Sequence, residues 1–565
     1  MEGRMLRPLG ISFIVALASS LLVAITLTPV LCSYLLTNSK MLNKQKAESR
    51  TVAFLNKYYQ LSLQWVMGNT KKVLWITGAV LIGAALLYTT FGRSFLPEFN
   101  EGSLTLTVVT MPGISLEESN KIGNQVETTM LSIPEVKSTS RKTGRSELDE
   151  HAQSVNGAEI DCPFTLDKRN RDEFMKDVRK RMASIRGVNV IVGQPLGHRI
   201  DHMLSGTRAN IAIKVFGPDN AMLLDLGNSV ANAIRGIPGV VDVSPEQMTA
   251  VPQVQIIPRR EVMSQVGVTM KDFHDVVDIA IAGKKIGEIY EKVGKFDLVL
   301  RYPANVRDQI EKLGEITVDN QQGKKIPLAQ ISEIRSTTTP NTISRENLMR
   351  KTVVSVNIAE RDLESSVSDI KKMVSEKVKV PPGYKVEYSG KFESATAASK
   401  IILFASFLSV ILIFLILNQE FKNAKLSLTI LLNLPLALIG GIAAVYFNGS
   451  ILNIPSLIGF ITLIGIATRN GILLVSNYER LKEKGLALKE RVLQGSVQRL
   501  SPIMMTALTA GLALIPMAMA YNAQGNEIQS PMAKVILGGL FSSTLLNLFI
   551  IPIVYILING RESHE

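Results

Sequence analysis

The sequence predicts an α-helical membrane bundle of seven spans joined to a large mixed α/β block that lies outside the lipid. Three observations predict it. Apolar residues gather into long runs free of charge, basic residues alternate between the connectors, and a helix, proline, strand pattern recurs through the charged block.

A helix that crosses the hydrocarbon core needs about 20 apolar residues. Ile11–Ser39 and Val73–Gly92 carry no charged residue, and no further long runs of this kind come until after Lys400. These are Ile401–Gln419, Leu426–Thr468, Gly471–Tyr478, Leu500–Asn526 and Val535–Gly560. Leu426–Tyr478 is long enough for two spans and turns at Asn448-Gly449-Ser450, which brings the total to seven. A hydrophobic fraction of 46% does not by itself separate a membrane protein from a soluble one; the clustering does.

Lys and Arg in short loops stay cytoplasmic. The connector after the first span carries Lys40, Lys44, Lys46, Arg50, Lys57, Lys71 and Lys72 against Glu48 alone. The connector after the fifth holds Arg480, Lys482, Lys484, Lys489, Arg491 and Arg499, whereas 448–453 and 522–530 have neither Lys nor Arg. The alternation puts the block 93–399 outside the cytoplasm and the C-terminus inside. It also puts Met1 outside, close to the first span, although Arg4 and Arg7 favour the cytoplasm. The expectation is a chain that begins within a longer protein; a short seven-span protein whose N-terminus crosses unaided is the alternative.

The net charge of +13 sits largely in the cytoplasmic connectors, where it meets anionic lipid rather than nucleic acid. Cys32 lies in the first span and Cys162 in the outer block, so they form neither a disulfide nor a metal-binding pair.

Within the outer block, strand Leu104–Thr110 closes at Met111-Pro112-Gly113. A helix follows from Ser115, with Glu117 and Glu118 in its first turn, and stops at Ile133-Pro134-Glu135-Val136 before another strand. The pattern returns as strand Ile211–Phe216, helix Ala221–Arg235, Ile237-Pro238-Gly239-Val240 and strand Val240–Val243. A third copy reads strand Thr352–Ile358, helix Leu363–Val378, Pro381-Pro382-Gly383 and strand Tyr384–Ser389. Such repeats are small βαβ units with helices on one sheet face. An insert from Pro252 to about Pro340, with a helix near Met270–Ala282, splits the second unit.

Several segments resemble the RND (resistance-nodulation-division) efflux permeases, in particular their heavy-metal branch of copper/silver and cobalt–zinc–cadmium pumps. Leu27-Thr28-Pro29-Val30-Leu31-Cys32 resembles the family's sixth span, and the stretch from Gly459 to Gly471 its tenth. Arg499-Leu500-Ser501-Pro502-Ile503-Met504-Met505-Thr506 is similar to the entry to the eleventh. Phe95-Leu96-Pro97-Glu98-Phe99-Asn100-Glu101-Gly102, Met111-Pro112-Gly113-Ile114-Ser115 and the segment Arg199–Gly206 resemble the porter domain of the metal-pump branch. The resemblance runs the length of the chain and implies the C-terminal half of such a pump. It implies spans six and seven with a cytoplasmic connector at 1–92 and a first porter subdomain at 97–209. A second porter subdomain is split as 210–251 and 350–391 around a docking insert at 252–349, and spans eight to twelve occupy 399–560. The porter subdomains are then periplasmic, α+β and ferredoxin-like. The implied setting is the bacterial inner membrane, as a homotrimer with a periplasmic adaptor, an outer-membrane channel and the N-terminal half of the same pump.

RND pumps pass protons through carboxylates of the fourth span paired with a cation in the tenth, and Arg469 stands at that cation position. An arginine in mid-span costs about 2.5–3.5 kcal/mol on insertion scales and needs an anionic partner. No Asp or Glu lies in any uncharged run, so the partner comes from elsewhere. Asn470 adds a hydrogen bond, while Thr506 and Arg499 match further relay positions; each has a plain packing or anchoring reading as well.

For the cargo, the methionine cluster of the copper and silver pumps is replaced by Thr107, His202 and Val268, with Met203 and Met270 nearby in sequence. Loss of soft thioethers argues against Cu(I) and Ag(I). Divalent ions want His and carboxylate. The candidate ligands are Glu147, Asp149, Glu150 and His151, with Asp161 a strand away, and a second group of His198, Asp201 and His202. Solvated loop residues are the bland alternative. The Arg-Asn pair of the fifth span also resembles the drug-pump branch, so an organic substrate stays open, as does an inactive fragment, while the large outer block argues against a protein-export accessory. No nucleotide loop, nucleophile motif or closed metal site points to an enzyme or a cofactor.

Overall fold

The computed structural model describes residues 2–35, 50–97, 99–144, 154–166, 169–247, 250–292, 294–307, 309–340, 342–520 and 523–560. The membrane part opens with α1 (Glu2–Ile25) and α2 (Leu27–Leu35), then α3 (Arg50–Gly68) and α4 (Thr70–Thr89). It resumes after the outer block with α12 (Lys391–Phe421), α13 (Ala424–Leu431), α14 (Asn433–Phe447), α15 (Ile454–Glu483), α16 (Leu488–Met519) and α17 (Gln529–Asn559). Among the described residues seven helical segments are long and apolar enough to cross a membrane, with α1–α2 forming one and α13–α14 another. Between the last two helices of that pair, Asn433 opens α14 and donates from Nδ2 to the Ala467 carbonyl at 3.4 Å, a break that hydropathy does not show.

The bundle is tightest where α14, α15 and α17 cross, and glycine makes the crossing. A Cβ on Gly440 or on Gly538 would collide with the other's carbonyl oxygen, and one on Gly539 would strike Leu463. Ser542 Oγ accepts from the Gly440 N–H at 3.0 Å at the same point. Lipid tails are as apolar as leucine, so close backbone approach and polar contacts hold such helices together.

Outside the bundle lie two antiparallel sheets whose four main strands follow the same design, the second carrying in addition the two-residue strand Arg345–Glu346. The first contains β2 (Ser103–Thr110), α5 (Leu116–Leu131), β3 (Ser140–Thr143), β4 (Gly157–Pro163), α6 (Arg171–Met182) and β5 (Val188–Gly193), in the order β3-β4-β2-β5. It is preceded by the short β1 (Gly92–Arg93) and followed by α7 (Pro195–Ser205). The second sheet begins with β6 (Ile211–Phe216), α8 (Asn220–Ile234) and β7 (Val240–Pro245). Next comes the insert: β8 (Ala250–Pro258), α9 (Arg260–Val266), α10 (Met270–Ile281), β9 (Lys284–Glu291), β10 (Gly294–Leu300) and β11 (Ser332–Pro340). β12 (Met349–Ile358), α11 (Leu363–Lys377) and β13 (Lys385–Gly390) complete the sheet in the order β7-β12-β6-β13. Each sheet thus has spatial order second, third, first, fourth, the βαββαβ arrangement of ferredoxin-like units. β8 and β11 pair from Ala250↔Pro340 to Ser332↔Pro258, a two-stranded stem that carries the insert.

The helix starts follow side-chain capping. Ser115 accepts from the Glu118 N–H, Asp219 from Met222 and Asp362 from Ser365, each satisfying a donor that the first turn leaves free. The repeat pattern of the sequence omits one copy, β4–α6–β5. Its helix is mostly charged, and only Phe174, Met175, Val178 and Met182 reach the core.

Valine at Gly440 is expected to cost about 1–3 kcal/mol through overpacking. It should lower the melting temperature in detergent, while Gly78→Ala, where nothing lies within 4 Å, does not lower it.

Candidate transport sites

Two places gather groups that could move charge. The first is mid-span on α15. Pro455 opens this helix and Asn453 caps it, accepting from the Ser456 N–H. Gly459, Leu463, Ala467, Asn470, Gly471 and Leu474 are buried against neighbouring helices, whereas Gly465, Arg469 and Ser476 are exposed. Arg469 therefore leaves the bundle on the open face of α15, and among the described residues it takes part in no ion pair. Asn470, its neighbour, points inward and is 4% exposed. On α16 the Thr506 hydroxyl donates to the Pro502 carbonyl of its own helix at 2.8 Å, and Arg499 is half-buried.

The second place is a cavity of ≈ 90 Å³ between the two sheets, walled by α7, β5, β12 and the first residue of α12. His198, Asp201, Gln194 and Asn357 line it and are nearly fully buried. His198 packs so closely on β5 that a Cβ at Gly193 would fall on its ring. Neither ring nitrogen of His198 nor Nε2 of Gln194 has a hydrogen-bond partner among the described residues. Burial, and then the charges of Arg208 and Lys391, hold the His198 pKa down to about 3 from 6.5, so the imidazole is neutral. Asp201 is engaged from two sides, by Lys391 Nζ at 2.9 Å and Asn210 Nδ2 at 3.4 Å. Asn357 Nδ2 donates to Asp242 Oδ2 at 3.0 Å and to the Val192 carbonyl at 3.3 Å, tying the second sheet to the first.

The sequence-predicted ligands divide accordingly. His198 and Asp201 share the cavity, but His202, one turn on, is exposed. Glu147, Asp149, Glu150 and His151 lie outside the described residues. Asp161 accepts from Thr105 Oγ1 at 2.7 Å. Thr107 is buried in β2, while Val268 packs inside the insert with Met263 and Phe273, and Met270 lies against that core. No group of three or more His, Cys, Asp or Glu able to hold a metal occurs among the described residues.

Sequence reasoning did not find the strap between these places. β1 pairs in parallel with Ile451–Leu452, and the Ile454 N–H donates to the Phe95 carbonyl at 3.2 Å. The Asn100 N–H donates to Glu527 Oε1 at 2.9 Å, in the connector between α16 and α17. Glu101 accepts from the N–H groups of Leu196 and Gly197 at the start of α7, where the helix dipole favours an anion. Adjacent residues thus hold the membrane bundle and the helix bearing His198.

Residues 1–559 match the model of the AcrB/AcrD/AcrF family. This chain belongs to that family of RND permeases. It is 30% identical over 575 residues to the cobalt-zinc-cadmium resistance protein CzcA of Cupriavidus metallidurans, covering 99% of this chain and 53% of CzcA. It is 27% identical over 571 residues to the cation efflux system protein CusA of Escherichia coli K12, covering 98% and 54%. A crystal structure of a heavy metal efflux pump superposes with a TM-score of 0.80 at 30% identity, over 91% of this chain and 52% of that one. The chain spans about half the length of the curated relatives it matches. The RND resemblance of the sequence, including its heavy-metal branch, is therefore sound.

The cavity gives a pH test. The unfolded chain takes up a proton on His198 near 6.5 and the folded chain near 3. Stability is therefore intact above pH 6.5 and falls as pH drops between these values, by about 2 kcal/mol at pH 5 from this group. His198→Gln is expected to lose less melting temperature than wild type between pH 7 and 5; equal losses would refute the buried neutral imidazole.

Proposed function

We propose that this chain is the membrane-embedded C-terminal half of an inner-membrane pump that exports heavy-metal cations in exchange for protons. The observation that carries the reading is Arg469, a cation at mid-depth on the open face of α15 in a family that includes heavy-metal pumps. Its exposed position supports pairing with a carboxylate supplied by the pump's N-terminal half, since a charge at that depth demands a counter-charge. Protonation of that carboxylate breaks the pair and frees Arg469. Asn470, Thr506 and Arg499 complete the proposed relay; the Thr506 hydroxyl, already donating to Pro502, is left as an acceptor.

The proposed cargo is a divalent ion such as Zn²⁺ or Co²⁺. Thr107, His202 and Val268 replace soft thioethers, and the neutral imidazole of His198 beside Asp201 supplies ligands of the borderline type. Lys391 competes with a metal for Asp201, so loading requires that ion pair to open. His202, on the exposed side of α7, is the proposed approach, and Glu147, Asp149, Glu150 and His151 are further proposed ligands.

The proposed assembly is a homotrimer with a periplasmic adaptor and an outer-membrane channel. What supports self-association is the β9–β10 hairpin, which exposes Ile286, Ile289, Tyr290, Phe296 and Leu298. A two-stranded ribbon is marginal alone in water, and apolar exposure of this kind marks a contact surface.

In inside-out vesicles from cells carrying the complete gene, Arg469→Gln is expected to reduce proton-driven Zn²⁺ uptake by at least about tenfold. Uptake at the wild-type rate would sink the proposal. The pair Tyr290→Glu and Phe296→Glu is expected to shift the purified protein from trimer to monomer by native mass spectrometry. An unchanged trimer would remove the hairpin from the interface.

A further inference from the structure

We propose that the cytoplasmic end of the bundle holds a phosphate site, in which Arg491 of α16 and Asn559 of α17 bind one phosphate group. The inference starts from a cation that the chain leaves without a counter-ion. Arg491 lies at the end of the first turn of α16 and is 6% exposed. Its guanidinium sits over the Tyr555 ring, Cζ 5.5 Å from the centroid. Among the described residues no carboxylate lies within ion-pair distance of it, and its enclosed Nε has no hydrogen-bond partner. Glu479 of α15 accepts from the Tyr555 hydroxyl at 2.7 Å and does not reach Arg491. A charge taken out of water without a counter-ion is strongly destabilising, and attraction to an aromatic ring offsets only part of that. One turn beyond Tyr555 on the same face of α17, Asn559 is also 6% exposed, and its enclosed Nδ2 is a second donor without a partner among the described residues. Both orphaned atoms are donors, so the missing group is an acceptor, and the guanidinium makes it an anion.

Chemistry and place select phosphate. The planar fork of a guanidinium matches two phosphate oxygens at once. α16 starts at Leu488 with Ala487 at its cap position, so no side chain accepts from the first-turn N–H groups, and the positive end of the helix dipole lies beside Arg491. α15 ends at Glu483 and α17 at Asn559, which sets the site at the ends of the spans, at headgroup depth rather than in hydrocarbon. Arg480, Lys482, Lys484 and Lys489 are exposed in the connector next to it and draw anions to this face. The small opening left at Arg491 suits one compact group rather than a protein surface. A lipid headgroup of the inner leaflet and free phosphate of the cytoplasm share this chemistry. Once bound, the phosphate ties the start of α16 to the end of α17. Glu479 lies about 15 Å along α15 from Arg469, so the site is separate from the proposed proton relay.

The test uses the full chain, purified and delipidated in a neutral detergent, with native mass spectrometry and melting temperature as readouts. Phosphatidylglycerol is expected to bind, and diacylglycerol, with the same chains and no phosphate, is not. Arg491→Gln should weaken that binding by at least about tenfold, while Lys489→Gln, which removes an exposed cation two residues away, leaves it unchanged. Should Arg491→Gln fold poorly, Asn559→Ala gives the second reading, a loss of about threefold. Inorganic phosphate that raises the melting temperature of the wild type but not of the variant would support the site with the free ion as its source. A response to phosphatidylglycerol alone would support it with the lipid headgroup. Binding of neither probe, equal binding by wild type and variant, or an equal loss in Lys489→Gln would overturn the site. No arm of the test depends on proton or metal transport.

Discussion

The constraint on which this structure rests is that hydrocarbon offers no hydrogen bonds. Each backbone group at membrane depth must find its partner within the protein, so the spans are helices. Charge is removed from them, and where they pack, glycine replaces bulk. Gly440 and Gly538 let two helix backbones meet, and Ser542 adds a hydrogen bond at the crossing. Against that uniform rule, one arginine left at mid-depth stands out as the place where the protein retains a costly group.

The extramembrane block answers to water and is built differently. Two sheets of identical strand order pack their helices on one face, with separate cores around Ile213, Val230 and Val354 and around Leu106, Val126 and Phe174. Polar groups gather between them, where Asn357, Asp242 and Arg179 join one sheet to the other. The strap at residues 91–102 is the counterpart at the membrane, because Asn100 and Glu101 each commit a group to a different element.

Much of this was legible before any coordinates. The uncharged runs mark the spans because hydropathy integrates over about 20 residues. Ser115, Asp219 and Asp362 mark helix starts because capping is local, and the helix read at Met270–Ala282 ends one residue earlier, at Ile281. What escaped is non-local or weakly patterned. The highly charged α6 hides its four core residues, and a two-residue strand pairing has no sequence signature. The cavity depends on helices and strands of both sheets arriving together. Arg469 could be singled out by its cost alone, whereas its outward direction needed the packing of α15. His198, Asp201 and His202 read as one cluster in sequence, yet helix geometry turns His202 outward while His198 and Asp201 face one cavity and Lys391 engages Asp201.

Gly390 ends the last strand at φ 137, where a Cβ would collide with the Asn210 carbonyl, and Lys391 begins a helix of 31 residues with no linker between. At 1.5 Å per residue that helix is about 46 Å long. Most of its apolar surface is exposed, and its first residue holds Asp201. Mechanically it is a lever with its short arm fixed in the second sheet. A tilt of about 5° at the sheet carries the far end some 4 Å, roughly the width of a methylene chain, so small rotations at the sheet become displacements at the opposite end of the helix.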